Sequence, residues 1–305
     1  MHAIILADRF GRELWPLAET RPVCLLPIAN KPVLQLTIEE LFQLGIRRAT
    51  VLCSEHASLV SAYFGSGRAF GMDLQYRTVS APCSVEYAIE LARIEPDQDW
   101  IAVRGDILRP FGFLEEAMRR GAEAAKSSIF TAMGILVPGL RGAIQHDIRW
   151  AAMRGEGSVD PLNLESIAAF HRCNMKALAG EIPGFVLPGR PASGHIAIDQ
   201  RSVVLAPFID CRTVIGRNCL IERNVVLGGG AVIGDGSIID NGAAIHESVI
   251  LPGSYVGAME VEHSVVDGSR IYGCLSGAIM DFGGSSLAAL DISQSHAEFS
   301  IGQSG

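Results

Sequence analysis

Between Val203 and Leu251 an apolar residue returns at every sixth position: Val203, Ile209, Ile215, Ile221, Leu227, Ile233, Ile239, Ile245 and Leu251. Four places after most of them stands a small or β-branched residue (Thr213, Cys219, Val225, Ala231, Ser237, Ala243, Val249). Glycine often follows directly, as in Ile215-Gly216, Leu227-Gly228 and Ile233-Gly234. A period of six is neither the roughly 3.6 of a helix nor the two of a strand. It suits a solenoid of triangular cross-section, in which each hexapeptide makes one short face and a turn and directs its branched residue to the axis. The spacing predicts a parallel β-helix over 195–273, followed over 274–305 by a cap or mobile tail rich in Ser, Gly and Ala.

This repeat resembles that of the left-handed parallel β-helix proteins of the hexapeptide kind. Such solenoids serve stability and assembly, so the expectation for this half is a rigid module that makes the chain a homo-oligomer or a subunit of a larger assembly. A hexapeptide acyltransferase is a further possibility, with His246 or His263 as general base on the acceptor.

The whole chain has 305 residues, 49% of them hydrophobic and 19% charged, enough for two domains with sizeable cores. A net charge of -8 argues against nucleic acid or an anionic membrane surface as a main partner. The apolar start, His2 to Ala7, is broken at Asp8-Arg9, too soon for a signal peptide or a membrane span. Seven cysteines without a Cys-x-x-Cys pair read as small buried hydrophobes in a reducing, cytoplasmic setting.

From Met1 to about Met133 short apolar runs alternate with amphipathic stretches, the pattern of parallel α/β units. Strands are expected at 4–7, 49–53, 74–79, 100–103 and 128–133. Helices are expected at 31–44, 58–64, 84–92 and 111–125, with Pro32 in the first turn of the first helix and Gly45 as its stop. The order is that of a doubly wound α/β sheet, whose ligands sit at the carboxyl ends of its strands. This domain is placed at 1–136. The stretch 137–194 reads as a connector with one helix over 162–178.

Three runs in the first part carry a second resemblance: Ala3-Ile4-Ile5-Leu6-Ala7, Leu14-Trp15-Pro16-Leu17-Ala18-Glu19-Thr20-Arg21-Pro22 and Leu25-Leu26-Pro27-Ile28-Ala29-Asn30-Lys31-Pro32. Together with Gly105-Asp106 at a strand end, they resemble the sugar-1-phosphate nucleotidyltransferases, or NDP-sugar pyrophosphorylases. Those enzymes join a nucleoside triphosphate to a sugar 1-phosphate and release pyrophosphate, on a Rossmann-like domain that often precedes a hexapeptide β-helix. The resemblance implies a setting in sugar-nucleotide or polysaccharide metabolism. It also implies nucleotide contacts at Leu6, Ala7, Gly11 and Ala88, and Mg2+ held by Asp106 if the site is active. A structural reading of Asp106 is a cap for the segment that follows.

The family's phosphate loop, Leu-Ala-Ala-Gly-x-Gly-Thr-Arg-Leu, is here Leu6-Ala7-Asp8-Arg9-Phe10-Gly11-Arg12-Glu13-Leu14. The first glycine has become Arg9, the arginine Glu13, and the lysine of the next motif Val23. Asp8 and Glu13 are expected to put carboxylates where phosphates sit. The Gly-Thr-Ala-Gly base-contacting segment is replaced by Ser84-Val85-Glu86-Tyr87. Phosphoryl transfer to or from such polyanions is catalysed mainly by positioning and charge neutralisation. Two readings follow. In one, the catalytic site is degraded and the protein is a regulatory, binding or scaffold subunit for a nucleotide or sugar nucleotide. In the other, Arg9 and Arg12 rebuild the loop and the enzyme is active. Losing glycine, arginine and lysine together favours the first.

Overall fold

Strand β1 (His2–Ala7) is buried along its whole length, as a strand covered on both faces must be. The computed structural model, which describes residues 1–54, 56–80, 82–94, 99–115, 118, 135–136, 162–193, 196–205, 208–209 and 212–282, puts it at the centre of a sheet. Parallel neighbours β2 (Arg48–Cys53) and β4 (Trp100–Arg104) flank it. Outside them lie β3 (Asp73–Thr78), parallel to β2, and β5 (Ile135–Leu136), antiparallel to β4. The side-chain alternation of β1 divides the core. Ala3, Ile5 and Ala7 pack with Leu34, Ile38 and Leu41 of α1 (Val33–Gln43) and with Val60 and Phe64 of α2 (Ala57–Phe64). Ile4 and Leu6 pack instead with Ala88 of α3 (Val85–Ala92). Helices thus cover both faces of a mostly parallel sheet, the doubly wound α/β arrangement expected.

Local chemistry explains the element ends. Helix α1 starts two residues later than its sequence pattern predicts, because Lys31–Pro32 pairs with Pro27–Ile28 in a small hairpin. Its turn residues Ala29 and Asn30 both have positive φ (43° and 68°), the conformation of a tight two-residue hairpin turn. At the other end Gly45 adopts φ 79°. Its amide bonds the Phe42 carbonyl and the Ile46 amide bonds that of Leu41, a Schellman ending. Ser84 caps α3 by accepting the Tyr87 amide at 3.3 Å. The helix expected over 111–125 and the strand over 128–133 fall largely or wholly outside the described residues.

The chain divides into two compact units, Met1–Phe170 with Ile182–Phe185 and His171–Glu181 with Val186–Gly305. Helix α4 begins at Ile167 and ends at Ala179. The helical pattern had predicted a start at 162, but Leu162–Asn163 forms a strand pair with Ile107–Leu108. Within the second unit the last carbonyls of α4, Leu178 and Ala179, accept from the Arg212 guanidinium, which meets the orphan groups of a helix C-terminus with positive charge.

The second unit is the parallel β-helix. Strands pair in parallel with partners three hexapeptides away: Thr213 with Ala231, Leu220 with Ile238, Val226 with Ala244. From Ile215 to Leu251 every member of the sixfold series is 0% exposed, and the companion series from Thr213 to Val249 is 2% exposed or less. Gly234 shows why glycine follows the branched residue at this corner. A Cβ there would lie 2.5 Å from the Pro252 nitrogen and 2.7 Å from the Leu251 carbonyl carbon, both backbone atoms of the next coil. One member of the series departs from expectation. Val203 is half-exposed, and Val204 turns inward against the core. A corner one residue shorter flips the pair, since strand side chains alternate. The tail predicted after Tyr272 is described as far as Phe282, where Ile279–Asp281 adds antiparallel to Arg270–Gly273. The remainder, 283–305, lies outside the described residues.

Each unit holds a buried histidine. His2 is 8% exposed and its Nε2 lies 2.9 Å from the Thr50 hydroxyl. His171 is 6% exposed and bonds the Glu247 carbonyl through Nε2. Burial is the main cause that pulls both below the ordinary histidine value, aided by Arg48 at His2 and by His263 at His171. The folded state therefore binds fewer protons than the unfolded one at mildly acidic pH, and stability rises with pH. Their contribution is complete above about 6.5 and is lost as pH falls toward the lowered folded values. Thermal unfolding followed by circular dichroism should show a lower transition temperature at about pH 5.5 than at about 7.5, and His2→Gln should reduce that difference.

Candidate functional site: a guanidinium between two buried aspartates

The carboxyl ends of β1 and β4 lie side by side, and the residues that leave them form the site. Gly105 follows β4 and donates its amide to the Leu6 carbonyl at 2.8 Å. A Cβ at Gly105 would meet Leu34 Cδ1 at 2.7 Å and Ile5 Cγ2 at 2.8 Å, so glycine is what lets the strand end press this close. Arg104 and Asp106 flank it. Their side chains meet in a bidentate pair, Nε to Oδ1 at 2.8 Å and Nη2 to Oδ2 at 3.0 Å. The same Nη2 reaches Asp8 Oδ1, at the end of β1, at 3.2 Å. The other oxygen of Asp8 accepts the Cys83 amide at 2.7 Å.

Asp8 is 0% and Asp106 1% exposed. Burial opposes the charge on Arg104, but Asp106 and then Asp8 outweigh it and hold the guanidinium firmly protonated. Burial first, and the Asp8 charge second, push the thiols of Cys53 and Cys83 up to about 12. Behind this group Arg109, itself buried, donates to the Arg104 carbonyl at 2.9 Å and to the Thr37 hydroxyl at 2.8 Å.

The loop that follows β1 is closed in a different way. Arg9 Nε donates to Glu13 Oε1 at 2.7 Å and its Nη2 to the Leu164 carbonyl, while Nη1 stands 3.8 Å from Asp106. Gly11 has φ 68°, and a Cβ there would collide with Val23 Cγ2, because Val23 is packed beneath the loop at 1% exposure. Arg12 is exposed and stands 5.8 Å from the Phe10 ring centre. With Arg9, Trp15, Glu19, Ser54 and His56 it lines a cavity of about 430 Å³.

The structure therefore brings Asp8, Arg9 and Asp106 together and leaves Arg12 apart from them, at the cavity. Leu6, Ala7 and Ala88 are 3% exposed or less, their side chains in the core. Two expectations are corrected. Asp8 is not an open carboxylate in the loop; it is fully buried, with both oxygens used. Asp106 is no helix cap, since its carboxylate is taken by Arg104. Sequence reading missed Arg104 altogether. The one available sign was an arginine at the end of a buried apolar strand, directly before Gly-Asp. In the β-helix, His263 Nδ1 lies 3.1 Å from Glu247 Oε2 and Nε2 3.5 Å from Glu262, and His246 stands in register with Gly228 and Glu262.

Residues 2–138 match the family model described as nucleotidyl transferase, and residues 212–247 match bacterial transferase hexapeptide (six repeats). The first part is a nucleotidyl transferase domain and the second a hexapeptide-repeat solenoid. Among curated proteins, the chain is 27% identical over 146 residues to translation initiation factor eIF2B subunit epsilon of Schizosaccharomyces pombe, covering 43% of this chain and 20% of that protein. It is 32% identical over 107 residues to glucose-1-phosphate thymidylyltransferase of Streptomyces antibioticus, covering 35% and 30%. It is 30% identical over 120 residues to the Streptomyces griseus protein of the same name, covering 39% and 34%. The chain thus spans between 20% and 34% of the length of these relatives. Among the described residues no helix is long and apolar enough to cross a membrane.

Proposed function

We propose that this protein is a non-catalytic relative of the sugar-1-phosphate nucleotidyltransferases that acts as a regulatory or scaffold subunit, its solenoid serving self-association or docking to a partner. One observation carries the reading. The loop that must neutralise phosphates has lost most of its cations: Arg9 is engaged by Glu13 and the Leu164 carbonyl, and the lysine position is Val23, buried under Gly11, which leaves Arg12 as the one exposed cation in the loop. Neutralising the charge that develops on the phosphates is most of what such a site contributes, so its loss lowers the rate by orders of magnitude. A relative that is itself a named subunit of a translation factor supports the assembly role. Unpaired cysteines at Cys24, Cys53, Cys83, Cys173, Cys219 and Cys274 support a reducing, cytoplasmic location.

A competing reading is an active enzyme that makes an NDP-sugar through a rebuilt loop. It draws on Arg12, which is exposed at the cavity and available to an anion. One assay decides between them. Purified protein is given nucleoside triphosphates in turn, with glucose 1-phosphate and magnesium, and pyrophosphate release is followed. No release above buffer is expected, and sustained release that needs both substrates would establish the enzyme. Light scattering on the same sample should give a multiple of the 32.6 kDa chain mass; a monomer at micromolar concentration would remove self-association from the proposal.

A further inference from the structure

We infer that the resident cation of this site is the Arg104 guanidinium itself, paired with the aspartate to which the family resemblance assigns a metal ion, so that whatever ligand the domain takes is bound without a divalent cation there. The inference deepens the non-catalytic reading and rests on it.

The donor set is the argument. A magnesium ion needs near-octahedral oxygen ligation at about 2.0–2.1 Å and keeps several of its waters. Both oxygens of Asp106 are spoken for by Arg104, at 2.8 and 3.0 Å. Both oxygens of Asp8 are also used, one by Arg104 and one by the Cys83 amide. Neither carboxylate has more than 1% of its surface exposed, which leaves no face for a hydrated ion. Among the described residues no group of three or more His, Cys, Asp or Glu is placed to hold a metal. The residues present do not fit the ion.

They do fit a guanidinium. Its planar fork matches a carboxylate edge, and its further N–H groups reach a second acceptor. The backbone makes this pairing local. Arg104 and Asp106 flank a glycine pinned to β1, and Arg109 fixes the carbonyl of Arg104. Asp8 completes the exchange. The aspartate stands where the family loop has alanine, and the arginine stands on the adjacent strand end, so a second carboxylate and an internal cation are found together.

The test titrates Mn2+ into the wild-type protein and reads bound ion by electron paramagnetic resonance, with Asp106→Asn alongside. The expected result is no saturable uptake in the wild type that Asp106→Asn removes. Saturable uptake that Asp106→Asn abolishes would overturn the inference. Arg104→Ala, checked for folding by circular dichroism, supplies the converse: vacating the guanidinium should create a saturable Mn2+ site that is lost in Arg104→Ala/Asp106→Asn. A folded Arg104→Ala that takes up no Mn2+ would also count against the inference, and if that variant does not fold the wild-type measurement decides alone. Pyrophosphate release on the same samples separates the two readings. Turnover without Mn2+ uptake would sink the non-catalytic assignment and spare this one, whereas uptake without turnover would do the reverse.

Discussion

Arg104→Met should destabilise the first unit by about 3–5 kcal/mol, because removing one partner of a buried ion pair leaves the other uncompensated. Here two charges are left, Asp8 at 0% and Asp106 at 1% exposure. Chemical denaturation followed by tryptophan fluorescence measures the loss. A companion variant shows whether the cost lies in charge or in packing. Adding Asp8→Asn and Asp106→Asn to Arg104→Met removes the stranded charges, and Asn at position 8 can still accept the Cys83 amide. Replacing a whole buried ionic group by neutral residues of similar size is often close to neutral. The triple variant should therefore recover most of the loss. If it is no better than the single variant, the arginine matters through its packing, and the electrostatic account of the cleft is wrong.

Ile239→Ala should cost about 2–5 kcal/mol in the second unit, the usual range for deleting a large buried side chain with only partial collapse of the cavity. Ile239 is 0% exposed and stands between Ile221 of the coil before and Val256 of the coil after. Solenoid coils are stabilised by their neighbours alone, so weakening a middle one severs the coupling between the two sides. Val204→Ala makes the contrast. Val204 is only half-buried and pairs with Ile221 alone in its sheet, so its truncation should cost under about half as much. Calorimetric scans of the two variants against the wild type test the ordering. Equal losses would show that the solenoid melts as one undivided block.

How far the sequence could be read depended on how local the determining contacts are. The solenoid was legible because each hexapeptide repeats the same demand on its inward positions from Ile215 through Ile245; after the ladder shift Ile250 stands opposite Ile233 in the core, with Leu251 buried beside it. Val203 escaped because a corner shortened by one residue leaves the apolar pair Val203-Val204 intact and only exchanges their faces. The hairpin before α1 escaped for a similar reason. Its turn uses Ala29-Asn30 in the left-handed region, where glycine would have announced it. Asp106 was legible through the glycine before it. Arg104 was not, since its meaning depends on Asp8, which is far away in the chain and is brought to it only by the pairing of β1 with β4. The charge of Asp8 was plain from the sequence, but its direction was not.

The register of the β-helix also governs how this protein can change in size. In the middle coils the strands are bonded to partners three hexapeptides later, so a whole coil can be gained or lost with the inward residues keeping their neighbours; further on the offset shortens, Ile238 pairing with Tyr255 and Ala244 with Glu260. A single added or missing residue has to be absorbed at a corner. The chain does this between Val204 and Ile209, one residue shorter than the matching stretch from Ile221 to Leu227, and again at Gly229-Gly230, where the ladder shifts between Gly228 and Ala231. Growth in this half comes in whole turns, and its corners are where lineages of such proteins can differ without disturbing the rest.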